Sequence, residues 1–139
     1  MSIPLPGTYR IRNVAFPNQM FDLIGGGIDA DTPVAGHNNN YASQNMLWTV
    51  QVVDGANGLV RLINVSSGTF AQAADTGVGV VGSPSIALMT IVPRTNLGEY
   101  TISTPDGQAC TLVNADEDTQ VTLDDPNSDD SQGWTFCPV

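Results

Sequence analysis

The sequence predicts an all-β protein of one domain. Its 139 residues match the size of a single ordinary domain, and a 41% share of hydrophobic residues is enough to build a core. The 14 glycines and nine prolines are spread along the whole length, and both residue types break helices. No segment carries an apolar stripe of helical period over three turns. Short segments alternate apolar and polar residues instead, which is typical of half-buried strands.

Three stretches of the chain open and close alike. Each opens with a glycine and a short alternation rich in β-branched and aromatic residues, at 7–13, 58–64 and 98–103. Each closes with two apolar residues flanking a threonine, at 48–50, 89–91 and 134–136. Self-similarity of this kind is typical of repeat architectures. We therefore expect one domain over 1–139 built from three repeats, near 7–53, 54–95 and 96–139.

Two weaker strands are predicted inside each repeat, at 20–24 and 32–35, at 69–73 and 78–81, and at 109–113 and 119–123. Segments rich in glycine, asparagine and aspartate connect them and favour tight turns. Twelve short strands leave exposed sheet edges unless the sheet closes on itself. The β-trefoil, with three four-stranded repeats around a shared core, is the closed architecture that we expect for this count.

The charge balance argues against two classes of partner. Four arginines, no lysine and 14 acidic residues give a net charge of −10. Such a surface repels phosphate backbones and anionic lipid, so we expect neither nucleic-acid binding nor membrane insertion. No apolar run approaches the roughly 20 residues of a membrane span.

The N-terminus and the two cysteines indicate a reducing compartment. The first six residues lack a basic segment and an apolar run, so no signal peptide is predicted. We expect a cytoplasmic protein, with unconventional release as the exported alternative. Cys110 and Cys137 fit two buried thiols in that compartment. A single disulfide tying the last strands together is the alternative that their spacing leaves open.

The first repeat carries a series of short motifs in a fixed order. They are Phe21-Asp22-Leu23, Gly25-Gly26, Thr32-Pro33-Val34 and Asn45-Met46-Leu47-Trp48, and the third repeat closes with Gln132-Gly133-Trp134. This order resembles the repeat of the ricin B-type β-trefoil lectins, particularly the short mushroom members that consist of one trefoil. The resemblance covers the whole chain in architecture and is detailed in residues 7–50. Because the family's closing tryptophan is a core residue, Trp48 and Trp134 indicate the fold and not a binding site.

The resemblance implies carbohydrate binding by a shallow site on one repeat. A sugar offers adjacent hydroxyls, which need carboxylate or amide partners, and a C–H face, which needs a flat partner. The residues implied as binding by their positions are Asp22, Gly25, Gly26, His37, Asn38, Asn40, Tyr41 and Asn45.

Each implied residue has a physical role and an ordinary alternative. Asp22 would accept hydrogen bonds from two hydroxyls, and strand alternation beside Phe21 and Leu23 predicts that it faces water. Gly25 and Gly26 would allow close approach of their backbone. Asn45 would supply the amide. His37 takes the place of the family's aromatic ring, and Tyr41 is the alternative flat surface. The asparagines at 38–40 also fit a plain turn.

The other two repeats lack this combination. Thr111 stands where Asp22 does, Asp124 takes the place of His37, and Phe70 and Ala71 offer no carboxylate. We therefore expect one site per chain, specific for terminal galactose or N-acetylgalactosamine as the resemblance implies. Single sugar sites are weak, on the order of mM to μM, so useful binding to cell surfaces implies a homodimer. The resemblance also implies a role in fungal defence.

Other functions have weaker support in the sequence. The segment 77–82 matches a dinucleotide-binding glycine pattern, but no helical pattern follows it. The acidic run at 116–118 does not continue as a calcium-binding loop and indicates a solvated loop. We expect no catalytic residues, no metal site and no cofactor. The alternative is a β-trefoil protease inhibitor that presents an exposed loop around Arg94 to a trypsin-like pocket.

Overall fold

The computed structural model describes residues 2–139, and a closed barrel of six antiparallel strands forms its body. Each barrel strand pairs with two neighbours, and β1 pairs with β13 to close the ring. The barrel strands are β1 (Gly7–Asn13), β4 (Leu47–Asp54), β5 (Leu59–Asn64), β8 (Met89–Pro93), β9 (Tyr100–Ser103) and β13 (Trp134–Pro138). They confirm the predicted opening and closing strands of the three repeats.

Three hairpins complete the fold and pair with one another. They are β2 (Gln19–Leu23) with β3 (Thr32–Asn38), β6 (Phe70–Ala73) with β7 (Val80–Ser83), and β10 (Ala109–Thr111) with β12 (Thr122–Asp124). β3 also pairs with β7, and a bridge between Gly79 and Thr122 joins the second hairpin to the third. A six-stranded barrel with one hairpin from each repeat is a β-trefoil, so the predicted fold class is confirmed.

One predicted strand, at 119–123, is divided in two by the structure. The short strand β11 (Thr119–Gln120) pairs with β3, whereas β12 pairs with β10. Between them, the N–H of the fully buried Val121 donates to the Val34 carbonyl, and its own carbonyl accepts from Val80. The chain therefore changes partner at Val121, and 13 strands result where 12 are predicted.

Two tryptophans and one phenylalanine form the centre of the core. The Phe21 ring lies edge to face against Trp48 at 5.4 Å and against Trp134 at 5.3 Å between ring centroids. All three side chains are fully buried. Each indole N–H donates to a backbone carbonyl, Trp48 to Phe21 at 2.8 Å and Trp134 to Cys110 at 3.1 Å. The predicted core role of both tryptophans is confirmed.

Both cysteines are free thiols. Cys110 is fully buried, and this burial raises the pKa of its thiol well above the ordinary value. Cys137 is only half-buried on β13. The disulfide alternative is therefore wrong, and the prediction of buried thiols holds for Cys110 alone. Within residues 2–139, no helix combines the length and apolar character that crossing a membrane requires.

Candidate functional site

The strand β2 turns Asp22 away from the core but does not leave it in water. Phe21 and Leu23 on the same strand are in the core, so alternation puts Met20 and Asp22 on the opposite face. Asp22 is nevertheless only 5% exposed, which corrects the prediction that it faces water. The turn Gln44–Met46 packs against β2, and the carboxylates of Glu117 and Asp118 act on Asp22 from the third repeat. The turn Gln44–Met46 thus packs over this strand, while the two acidic residues of the third repeat act on Asp22 through their charge.

The carboxylate of Asp22 lacks partners within the described chain. Its Oδ1 is buried and has no hydrogen-bond partner among residues 2–139. Burial raises the pKa of Asp22 to about 6, although the nearby His37 lowers it in part. A buried acceptor without a donor is costly, and ordinary folded proteins contain few of them. No donor among the described residues satisfies this acceptor.

His37 is a neighbour of Asp22 on the same sheet face. The register between β2 and β3 pairs Met20 with His37 and Asp22 with Ala35, so Asp22 and His37 are diagonal neighbours. The His37 Nδ1 lies 2.8 Å from the Asn38 carbonyl oxygen, and Nε2 lies 3.3 Å from Glu117 Oε2. The hydrogen bond to Asn38, followed by the charge of Glu117, raises the pKa of His37. The ring is thereby fixed in orientation while its side chain stays 36% exposed.

Gly25, Gly26 and Asn45 come together beside β2. Both glycines adopt positive φ, at 64° and 63°, which residues with a side chain rarely do. A Cβ atom on Gly26 would collide with Asn45 Oδ1 and Ser66 Oγ, so only glycine allows the amide of Asn45 to approach. The Ser43 hydroxyl caps the turn that carries Asn45 by accepting from its N–H. The predicted turn and the predicted amide are therefore adjacent.

Glu117 contacts the candidate site, which no pattern in the sequence predicts. Its Oε1 accepts from Gln19 Nε2 at 3.0 Å and from the Asn38 N–H at 2.9 Å, and its Oε2 contacts His37. The acidic loop at 116–118 is exposed as predicted, but Glu117 also bonds to β2 and β3 of the first repeat. The contacts span 79 and 98 residues, so no local spacing pattern could have indicated them.

The predicted loop residues Asn38, Asn40 and Tyr41 make contacts that do not involve Asp22. The Asn40 carboxamide oxygen accepts from the Ala42 N–H and forms a local turn. The exposed Tyr41 ring lies over the Arg10 guanidinium, 5.0 Å from Cζ to the ring centroid. Asn38 and Tyr41 line a neighbouring hollow whose lining does not include Asp22. Their predicted contact with the same sugar unit as Asp22 stays a prediction.

Comparison with solved structures finds fungal lectins with the same fold. No protein-family model matches the chain. The Rhizoctonia solani agglutinin is 29% identical, with a TM-score of 0.88 over 100% of this chain and 99% of that one. The chain is a β-trefoil similar to fungal lectins of the ricin B type. The Macrolepiota procera ricin B-like lectin, solved with lactose, is 21% identical with a TM-score of 0.79 over all of both chains. The designed threefold-symmetric protein ThreeFoil matches at 16% identity and a TM-score of 0.84, over 96% of this chain and 99% of that one.

In this trefoil the second and third repeats have other residues at the position of Asp22. In the third repeat it is Thr111, which follows the buried Cys110 as Asp22 follows Phe21. In the second repeat the buried core residue is Ala71, so the equivalent residue is Gln72. The sequence comparison with Phe70 and Ala71 was therefore out of register, but no carboxylate is present there in either case.

Arg94 of this trefoil is not presented as an inhibitory loop would require. Its guanidinium donates to the carbonyls of Ser128 and Asp129 and to the carboxylate of Asp130, at 3.1 to 3.3 Å. The side chain is only 14% exposed and also faces Glu99. Insertion into a protease pocket would break all of these contacts. These contacts argue against the protease-inhibitor alternative through Arg94, which stays a prediction.

Proposed function

We propose that the chain binds glycans with terminal galactose or N-acetylgalactosamine through one site in the first repeat. The observation that carries this proposal is Asp22 Oδ1, a buried acceptor without a partner. Adjacent sugar hydroxyls are the donors that such a carboxylate can take, since a charged acceptor makes strong hydrogen bonds. The similarity to fungal lectins, one of them solved with lactose, favours galactose-type ligands.

The groups beside Asp22 would bind a further hydroxyl and the C–H face of the sugar. The amide of Asn45 would hydrogen-bond a further hydroxyl, and the open side of Gly25 leaves room for a sugar ring to approach the backbone. The fixed, partly exposed imidazole of His37 would cover the C–H face of the ring. Each of these groups binds and orients, and the proposal assigns none of them to catalysis.

The test is titration calorimetry with lactose, galactose and N-acetylgalactosamine against the wild type and D22N. We expect dissociation constants on the order of mM to μM for the wild type, and a loss of at least about tenfold in D22N because one charge-assisted acceptor is removed. D75N is the matched control, since Asp75 is exposed on the second repeat. Unchanged affinity in D22N would refute the proposed site.

We extend the proposal to the oligomeric state of the protein. One weak site per chain cannot hold a cell surface, whereas two linked sites gain avidity from their effective concentration. The chain is therefore proposed to act as a homodimer. Light scattering on the purified protein should give twice the mass of the 14.6 kDa chain, and a monomer that still agglutinates would contradict this extension.

A further inference from the structure

A second hollow lies beside the proposed sugar site. It encloses about 310 Å³, and its lining includes Arg12, Met20, Asn38, Asn39 and Tyr41. Cross-strand pairing puts Arg12 opposite Met20, and Met20 opposite His37. Met20 is two residues from Asp22 on the same strand face, a separation of about 7 Å. The hollow is therefore close enough to receive the next unit of a glycan bound at Asp22.

Arg12 has no partner for its charge. The guanidinium groups of Arg10, Arg61 and Arg94 each donate to an acceptor in the chain. Arg12 makes no hydrogen bond from its side chain and no ion pair within residues 2–139. Its buried Nε lacks an acceptor, as do those of Arg10 and Arg61, but only Arg12 among the three has no bond from its terminal nitrogens either. In a chain with 14 acidic residues, a guanidinium that meets none of them is available for an external anion. Its planar donor fork suits a carboxylate or a sulfate.

The other groups around the hollow suit a sugar unit. The Tyr41 ring is 79% exposed, and its contact with Arg10 fixes its position. Aromatic rings held in this way bind the C–H faces of sugars. Asn39 Oδ1 is buried and lacks a donor among the described residues, so a ligand hydroxyl can supply one.

The carboxylates nearest to the hollow do not cancel this charge. Glu117 reaches Asn38 at the edge of the hollow, but its oxygens are bound to Gln19, to the Asn38 N–H and to His37. Asp22 lies two residues beyond Met20 along β2 and is itself the proposed partner of sugar hydroxyls. The charge of Arg12 therefore faces the hollow without a competing carboxylate in contact with it.

We propose that this hollow is a second subsite, in which Arg12 binds an anionic substituent, carboxylate or sulfate, on the sugar unit next to the one held by Asp22. The inference rests on the proposed function, since Asp22 would anchor the glycan. It adds a specificity: acidic glycans are bound more tightly than neutral ones, although the protein as a whole carries a net charge of −10.

The test is calorimetry with four glycans: lactose, sialyllactose, sulfated lactose and a neutral trisaccharide that extends lactose at the same hydroxyl. We expect the wild type to bind at least one acidic glycan about tenfold more tightly than lactose, with the gain shrinking as salt is added. The sialyl and sulfated arms distinguish a carboxylate from a sulfate. R12Q should lose this gain and keep its affinity for lactose. R61Q, which removes the same charge from β5, should keep both.

Each of the following outcomes would overturn a different part of the proposal. Equal gains for the neutral trisaccharide and the acidic glycans would show that length and not charge is recognised. A parallel loss of lactose and acidic-glycan affinity in R12Q would make Arg12 a structural residue. Lactose binding without any gain for the acidic glycans would refute the second subsite alone. Absence of lactose binding by the wild type would refute the proposed function and the subsite with it.

Discussion

The first and third repeats share the same hydrogen bond in the core but differ in the residue that follows it in sequence. In both, the closing tryptophan donates to the carbonyl of the core residue in the central strand, Phe21 or Cys110. The next residue is Asp22 in the first repeat and Thr111 in the third. Asp22 Oδ1 is buried without a partner. The Thr111 hydroxyl donates to the Ala109 carbonyl at 3.1 Å and accepts from Gln132 Nε2 at 3.1 Å.

The residue two positions before each tryptophan explains the difference. In the third repeat it is Gln132, whose amide bonds Thr111, the Asp125 carbonyl and the Asn127 N–H. In the first repeat it is Met46, whose side chain is buried and has no N–H to donate. The third repeat thus satisfies its own polar groups, whereas the first keeps a charged acceptor open. A binding site in this fold is a place where the internal hydrogen bonds are left incomplete.

The largest expected effect comes from removing the internal partner of the third repeat. Q132M deletes three hydrogen bonds to buried or half-buried groups. We expect the free energy of unfolding to fall by about 2–4 kcal/mol, measured by urea denaturation. Q51M is the matched control, since Gln51 is exposed on β4 and the same exchange there should not destabilise the protein. A loss below about 1 kcal/mol would mean that Gln132 does not complete the third repeat.

A smaller effect of the opposite sign is expected at Asp22. The pKa of Asp22 rises from 3.8 to about 6 on folding, so its ionised form destabilises the fold above pH 6 and has no such effect below 3.8. D22N should therefore raise the free energy of unfolding at pH 7 by about 1–3 kcal/mol. The gain should shrink as denaturation is repeated toward pH 4, whereas D75N should show neither change. Destabilisation of D22N at pH 7 would contradict an unpaired carboxylate.

The smallest effect concerns the pH dependence of sugar binding. Protonation of Asp22 removes an acceptor, so lactose affinity should fall as the pH drops below about 6. Burial of the carboxylate is the main cause of this raised pKa, and the charges of His37, Asp118 and Glu117 adjust it. In M46Q the added amide would donate to Asp22 and lower its pKa, which should move the acid loss by about one pH unit downward. Calorimetry across this range measures both midpoints, and identical midpoints would show that position 46 does not reach Asp22.

Local patterns were sufficient to predict the framework. Alternation around Phe21 and Leu23, the closing tryptophans and the glycine turns depend on residues near one another in sequence, and the structure follows them. Gly25 and Gly26 are required at positive φ, and Asn45 lies against Gly26 as the motif order implies.

Long-range packing accounts for what the sequence did not predict. Asp22 is covered because the turn Gln44–Met46 packs over β2, and alternation along one strand contains no information about that turn. Glu117 binds His37 across the boundary between the third and first repeats. Arg94 is held by carbonyls more than 30 residues away. Local context therefore misjudged the exposure of Asp22, and it contained no information about the distant partners of Glu117 and Arg94.

The most direct test of the account is a lactose titration followed by two-dimensional NMR of the ¹⁵N-labelled protein. The account predicts one site per chain, with shifts concentrated at Gly25, Gly26, His37 and Asn45 and with Thr111 unaffected. Saturating shifts at Thr111 or Gln72, or the absence of shifts at the first-repeat residues while lactose binds, would contradict the claim that the open acceptor of the first repeat is the sugar site.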